Sequence, residues 1–248
     1  MELRRFRADL HIHSCLSPCG ELTVYPRRIV DRALEEGLDI IAVSDHNTAE
    51  NAAAAIQAAR GTGLLVLPGM ELTSAEEVHI LGIFESMAGA LPAQDEVYRK
   101  LAMAPAHKTL IQDQVIVDKD DLVTGFSPRH LLAAADLDVR ETVDLIHRHG
   151  GLAVASHIDR EAFSIISQLG FIPPDLDLDA LEISPLMTVS RARSAYPACG
   201  RFPMVRFSDA HRPEDIGRPS TDLLMGAPAF GEIRMALRKE RGRSVRES

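Results

Sequence analysis

Asp9-Leu10-His11-Ile12-His13-Ser14 decides how this chain is read. A β-prone run, Phe6 to Ile12, ends inside that stretch. Successive strand residues point to opposite faces, so His11 and His13 project to one side. A pair of imidazoles at the end of a strand is a possible half of a metal site, and the rest of the chain repeats the arrangement. Asp45-His46 follows the run Asp39 to Val43, and Glu71 follows Leu64 to Leu67. His79 lies near the start of Val78 to Phe84, His157 follows Leu152 to Ala155, and Asp209-Ala210-His211 follows Met204 to Phe207. With Ala180 to Ile183 these runs make seven candidate strands.

Helical stretches separate them. Pro26 to Glu36 carries Ile29, Val30, Ala33 and Leu34 at helical spacing, opens on Pro and stops at Gly37. Asn51 to Ala59, Glu141 to His149 before Gly150 and Gly151, and Phe230 to Glu240 read the same way. Alternation of this kind predicts an α/β fold, and 248 residues suit one domain over 1–248. The stretch from about 85 to 138, with Pro92, Pro105, Gly125 and Pro128, breaks the rhythm and is read as an insertion after the fourth strand. It is either an elaboration packed on the rim or a lid over the site.

Parallel barrels gather their functional residues at the C-terminal ends of the strands, so ligands far apart in sequence converge on one cavity. Six histidines (His11, His13, His46, His79, His157 and His211) and the carboxylates Asp45, Glu71 and Asp209 have that placement. Imidazole with carboxylate suits Zn, Mn or Fe, and Glu71 is the candidate bridge between two ions. His107, His130, His147 and His149 lack the placement and are read as structural.

The formal net charge of −9 works against an extended nucleic-acid track, because long-strand binding draws on Lys and Arg. It leaves room for a small phosphorylated substrate held through metals. The basic run Arg234 to Arg246 reads as a solvated helix end. Apolar stretches such as Leu64 to Leu67 are too short to span a bilayer, and Met1 to Arg7 lacks the apolar segment of a secretory signal. Cys15, Cys19 and Cys199 are too few for a disulfide framework. Together these predict a cytoplasmic protein with no membrane partner.

The successive motifs Asp9 to Ser14, Ser44-Asp45-His46-Asn47, Gly69-Met70-Glu71, His79-Ile80-Leu81-Gly82, Ser156-His157 and Ser208-Asp209-Ala210-His211 resemble, in order, those of the PHP (polymerase and histidinol phosphatase) family. The resemblance spans nearly the whole chain. It implies a distorted seven-stranded (β/α) barrel that holds two or three divalent ions, Mn, Zn or Fe, and hydrolyses phosphate esters by metal-bound hydroxide. It also implies that His11, His13, Glu71 and Asp209 hold one ion, that Glu71, His79 and His157 hold a second, and that His46 and His211 hold a third. Where the family usually places one more His or Asp for the third site, this chain has Cys19, either a thiolate ligand or a small buried thiol. Where the family usually reads Ala-His-Pro, it has Ser156-His157-Ile158-Asp159-Arg160.

Arg160 and Arg191 are therefore candidate phosphate clamps. Asp45, beside His46, is the candidate catalytic residue, either orienting that ligand or accepting a proton. Within the family the expected substrate is a nucleoside 3',5'-bisphosphate or a short RNA 5' end. The alternatives are a histidinol-phosphate phosphatase and a catalytically idle metal-binding scaffold.

Overall fold

The computed structural model describes residues 2–103 and 113–246. The chain begins with β1 (Arg4–Ile12), α1 (Pro26–Glu35), β2 (Ile40–Val43), α2 (Ala52–Ala58), β3 (Leu65–Thr73) and β4 (His79–Ile83). It continues with α3 (Met87–Lys100), the pair β5 (Val115–Val117) and β6 (Val123–Phe126), α4 (Val139–Arg148), β7 (Leu152–Ala155), α5 (Ile165–Leu169) and β8 (Ala180–Ile183). It ends with α6 (Val189–Ala195), β9 (Met204–Arg206), β10 (Thr221–Met225), α7 (Phe230–Leu237) and β11 (Ser244–Arg246). Among the described residues no helix is long and apolar enough to cross a membrane.

Nine strands form one sheet in the order β11-β10-β1-β2-β3-β4-β7-β8-β9, which corrects the expected seven. The seven runs read from the sequence are all present. The two additional strands, β10 and β11, lie on the far side of β1 in an antiparallel arrangement. They escaped notice because β11 is three residues long and sits in the basic run that reads as a helix end. Beyond the strand ends, Ile12 pairs with Ala210, and the His13 N–H reaches the Ala210 carbonyl at 2.9 Å, so the sheet almost closes on itself.

Two apolar layers follow from the strand period. The inner one joins Phe6, Ala8 and Leu10 of β1 to Ile40 and Ala42, Leu67, Leu81 and Ile83, Leu152 and Val154, Ala180 and Val205, with α7 residues Phe230 and Ile233. The outer one joins the opposite faces of the same strands to α1, α2 and α4. Following each inward stripe upward leads to the polar cluster: Ile40 and Ala42 to His46, Leu67 to Glu71, Ala180 to Glu182, and Val205 to Asp209. β4 runs antiparallel to both β3 and β7, so its beginning, His79, lies at the end where its neighbours finish. In β1 the pairing with β2 slips between Asp9 and Ile12, and past the slip His11 and His13 take the inward phase.

In the segment after β4, α3 and the β5–β6 pair pack outside the loops that follow β1 and β2. Asn51 bonds to both Val115 and Val117, and the Asn47 amide donates to the Leu131 and Ala133 carbonyls at 2.8 and 3.0 Å. The described part of the insertion thus braces the two loops that carry His13 and His46. At the end of α4, Gly150 takes a positive φ of 75°, and Gly151 lies where an added Cβ would meet Ile146 Cγ2 at 2.7 Å and Phe84 Cε1 at 2.9 Å. Gly151→Ala is expected to lower stability by about 1–3 kcal/mol through overpacking against two fully buried side chains. Gly125→Ala, which meets open space, is expected to leave it unchanged. Urea unfolding of the two variants checks both.

Candidate metal centre

Glu71 is 1% exposed and lies at the centre of the cluster. Its Oε1 is 3.3 Å from His11 Nε2, 3.0 Å from His79 Nδ1 and 3.2 Å from His157 Nε2. Its Oε2 is 3.5 Å from His13 Nε2 and 3.3 Å from His46 Nδ1. Asp209 Oδ1 lies 3.4 Å from His11 Nε2 and 3.2 Å from His13 Nε2. At the rim, Cys19 Sγ is 3.2 Å from His46 Nε2 and 3.1 Å from His211 Nε2. All nine predicted metal ligands are therefore brought together.

Among the described residues, three groups of ligand atoms are compact enough to hold an ion: His11 with His13 and Glu71, His46 with Glu71 and His79, and His13 with Cys19, His46 and His211. The side chains fit cations better than they fit each other. His11 Nε2 and His13 Nε2 face one another at 3.2 Å. The Nδ1 atoms of His46 and His79 are buried and face Glu71 at 3.3 and 3.0 Å without forming a hydrogen bond to it, and His157 Nδ1 is buried with no hydrogen-bond partner. Such orphans are costly in a dry interior unless something else meets them, and a divalent ion accepts several lone pairs at once.

The surrounding residues set the tautomers. The His11 Nδ1–H donates to Glu182 at 2.9 Å, which leaves the Nε2 lone pair facing the centre. Ser17 Oγ donates to Asp45 Oδ1 at 2.6 Å and so must accept from the His13 Nδ1–H at 3.0 Å, with the same result for His13. The His211 Nδ1–H donates to the Asp209 carbonyl at 2.8 Å, turning its Nε2 toward Cys19. Glu182 and Ser17 were missed in the sequence. A carboxylate inside the apolar run Ala180 to Ile183 was the available signal for Glu182, because an unpaired charge is rarely buried there.

The electrostatics follow from this packing. Burial opposes the charge on Glu71, yet the imidazoles of His79 and His11 hold its carboxyl well below the usual range. Burial and the proximity of His211 lower His13 to about 4, so its imidazole is neutral near pH 7. Desolvation of the Cys19 sulfur, helped by Glu71 and Asp209, pushes its thiol up to about 12, and only a cation seated beside it would favour the thiolate.

Other candidates fall outside the cluster. Asp45 accepts from the Ser14 N–H at 2.7 Å, the Ser14 hydroxyl at 2.7 Å and the Ser17 hydroxyl at 2.6 Å. Both its oxygens are so engaged, which turns its carboxylate toward Ser17 and, through it, His13, away from the neighbouring His46. Arg160 reaches the site: its Nη2 is 2.5 Å from Asp209 Oδ2. Arg191 does not, being exposed on α6 with no contact to the cluster among the described residues. His147 pairs with Asp179 at 2.9 Å and His149 with Glu96 at 2.8 Å, both away from the centre. His107 lies outside the described residues.

An uncharacterised protein of Methanocaldococcus jannaschii is 26% identical over 185 residues, covering 71% of this chain and 80% of its own length. The endonuclease Q of Pyrococcus furiosus, a lesion-specific endonuclease, shares the fold with a TM-score of 0.74 and 18% identity over 98% of this chain. A complex of endonuclease Q with a 27-mer duplex bearing an abasic lesion at the active site aligns over 97% of the chain, with a TM-score of 0.72 and 18% identity. The chain spans 58% of the length of those endonuclease chains.

The likeness overturns the expectation of a small phosphorylated substrate with no extended nucleic-acid track. That expectation rested on whole-chain charge, but a fold of this kind holds a duplex at its active site in endonuclease Q. Contact with a strand depends on the local field at the mouth, and bound cations there outweigh a diffuse surface charge. The PHP domain model matches residues 9–172, about two thirds of the chain, and with the nine-residue cluster it identifies the protein as a member of the PHP family, a metal-dependent hydrolase.

Proposed function

We propose that this protein, as one domain over 1–248, hydrolyses phosphodiester bonds in nucleic-acid strands at a centre holding three divalent ions. The convergence of nine metal-binding side chains around Glu71, with buried imidazole nitrogens left for a cation, carries the reading. The fold shared with a nuclease that holds duplex DNA supports the strand as substrate. Seated ions neutralise the phosphate oxygens and lower the pKa of water to near neutrality.

His11, His13, Glu71 and Asp209 would hold the first ion, Glu71, His79 and His157 the second, and Cys19, His46 and His211 the third. Glu182, through His11, and Asp45, through Ser17 and His13, keep the imidazoles aimed. Arg160 leaves Asp209 for a phosphate oxygen when a strand enters, since guanidinium matches either anion. Hydrolysis joins the oxygen of water to phosphorus, breaks one P–O ester bond and leaves a proton on the departing oxygen.

End-labelled RNA, single-stranded DNA, and duplex DNA with or without an abasic site, each incubated with added Mn²⁺, Zn²⁺ or Fe²⁺, should yield shortened products that a His11→Ala variant does not form. Absence of cleavage across the whole set, with hydrolysis of a simple aryl phosphate intact, rules the strand out as substrate.

Glu182→Gln should lower metal affinity about 10–100-fold while the fold survives, because the amide no longer fixes the His11 tautomer as a carboxylate does. Titration with metal, alongside circular dichroism, measures it, and unchanged affinity would reduce Glu182 to a packing residue. Cys19→Ser should remove close to one equivalent of Zn or Fe and leave the other two, because a thiolate is a softer ligand than the usual His or Asp. Elemental analysis of both proteins decides, and equal metal content would take Cys19 out of the centre.

A further inference from the structure

The loop between His157 and α5 is pinned at both ends. The Arg160 N–H donates to the His157 carbonyl at 2.9 Å, and the Ser164 hydroxyl, which also caps α5, donates to the Arg160 carbonyl at 2.8 Å. The same loop braces β4, because the Phe163 carbonyl accepts the His79 N–H at 2.9 Å. It carries one cation, Arg160, seated on Asp209, and one large aromatic ring, Phe163.

Phe163 is costly in two independent ways. Its backbone has φ of 60°, a region that bulky residues rarely occupy and that glycine or asparagine usually fills. Its side chain is 40% exposed, so the strain is not offset by full burial in the core. The ring lies parallel to the imidazole of His79, with centroids 4.6 Å apart and planes 14° apart. His79 in turn is 3.0 Å from Glu71. Strained residues that persist without a packing reason concentrate where a ligand is gripped. Here the strain fixes an exposed ring one imidazole away from the proposed ions.

We propose that Phe163 is the platform on which the base of a nucleotide flanking the scissile phosphate stacks, while Arg160 takes the phosphate beside it. The inference rests on the nucleic-acid reading above and adds a strand-binding element to it. Every base has a π-face, so such a platform grips a strand without choosing a sequence. Its effect belongs to strand binding rather than to the bond-breaking step, which separates it from the metal ligands.

The test uses the metal-loaded protein and an oligonucleotide that it cleaves at one position, with a tetrahydrofuran abasic residue walked through the nucleotides on either side of the cut. In the wild type, one flanking position should raise KM about 10-fold when its base is removed, with kcat little changed. Phe163→Leu should raise KM on the intact strand by about the same factor, keep its metal, and no longer respond to base removal at that position. Phe163→Trp should restore both.

A flat walk in the wild type overturns the platform whatever the variants do. So do two penalties that simply multiply, and so does loss of metal from Phe163→Leu with a normal KM on the fraction still loaded, which would make the ring a shield for His79. Failure to cleave any strand is a separate result that removes the nucleic-acid reading itself.

Discussion

One buried carboxylate organises the upper half of this molecule. Glu71 lies within 3.5 Å of five imidazoles, drawn from β1, the loop after β2, the start of β4 and the loop after β7. A carboxylate out of water is unfavourable unless its charge is met, and neutral imidazoles meet it only in part. Burial holds His13 and His46 below the ordinary histidine range. Burial also opposes charge on His11, but Glu182, Glu71 and Asp209 raise it well above that range. Protonation therefore answers the carboxylate on one side of the ring and leaves the His13 and His46 side unmet. Cations between the carboxylate and the ring nitrogens satisfy both sides at once. The strand lengths, the antiparallel β4 and the slip in β1 all serve that convergence.

Most of the candidate cluster was legible because it obeys a simple rule: a polar, metal-capable residue just beyond an apolar strand. His13, His46, His157, Asp209 and His211 follow it, His11 lies one residue inside the end of β1, and the helices bounded by Pro26 and by Gly150-Gly151 lie where periodicity places them. Glu71 and His79 obey it less directly. β3 runs on to Thr73, so Glu71 lies inside a strand rather than after it, and His79 starts one. Period alone does not tell a parallel strand from an antiparallel one, so the reason His79 joins the site became clear only from the pairing.

What was not legible depends on partners far away in sequence. Glu182 supports His11 across 171 residues, and Ser17 links His13 to Asp45 across 28. Asp45 is next to His46 in sequence, which suggests a shared task, yet its carboxylate turns to Ser14 and Ser17 and serves His13 instead. β10 and β11 were lost for a related reason: a short strand declares itself by what it pairs with, and the basic residues around Ser244 suggested a solvated end.

Charge reasoning failed at a different step. The excess of acidic residues is real, but it counts charges wherever they lie, and the carboxylates that matter most are buried against imidazoles. Divalent ions held by the same cluster would offset its carboxylates locally, and Arg160 places a further positive charge beside Asp209. Backbone strain points to the same place. Of the eight non-glycine residues with positive φ among the described residues, four (His157, Asp209, Asn47 and Phe163) belong to the centre or touch it, while Glu77, Asp121, Lys239 and Arg241 lie elsewhere. Two of the four are proposed ligands, one braces the insertion, and the fourth, Phe163, accepts the His79 N–H and lays its ring against that imidazole. A conformation that disfavours each of these side chains persists because the paired strands and the two apolar layers beneath hold the loops in place. The barrel thus supplies rigidity from below and the ions supply charge from within, which leaves the rim residues free to be selected for what they grip.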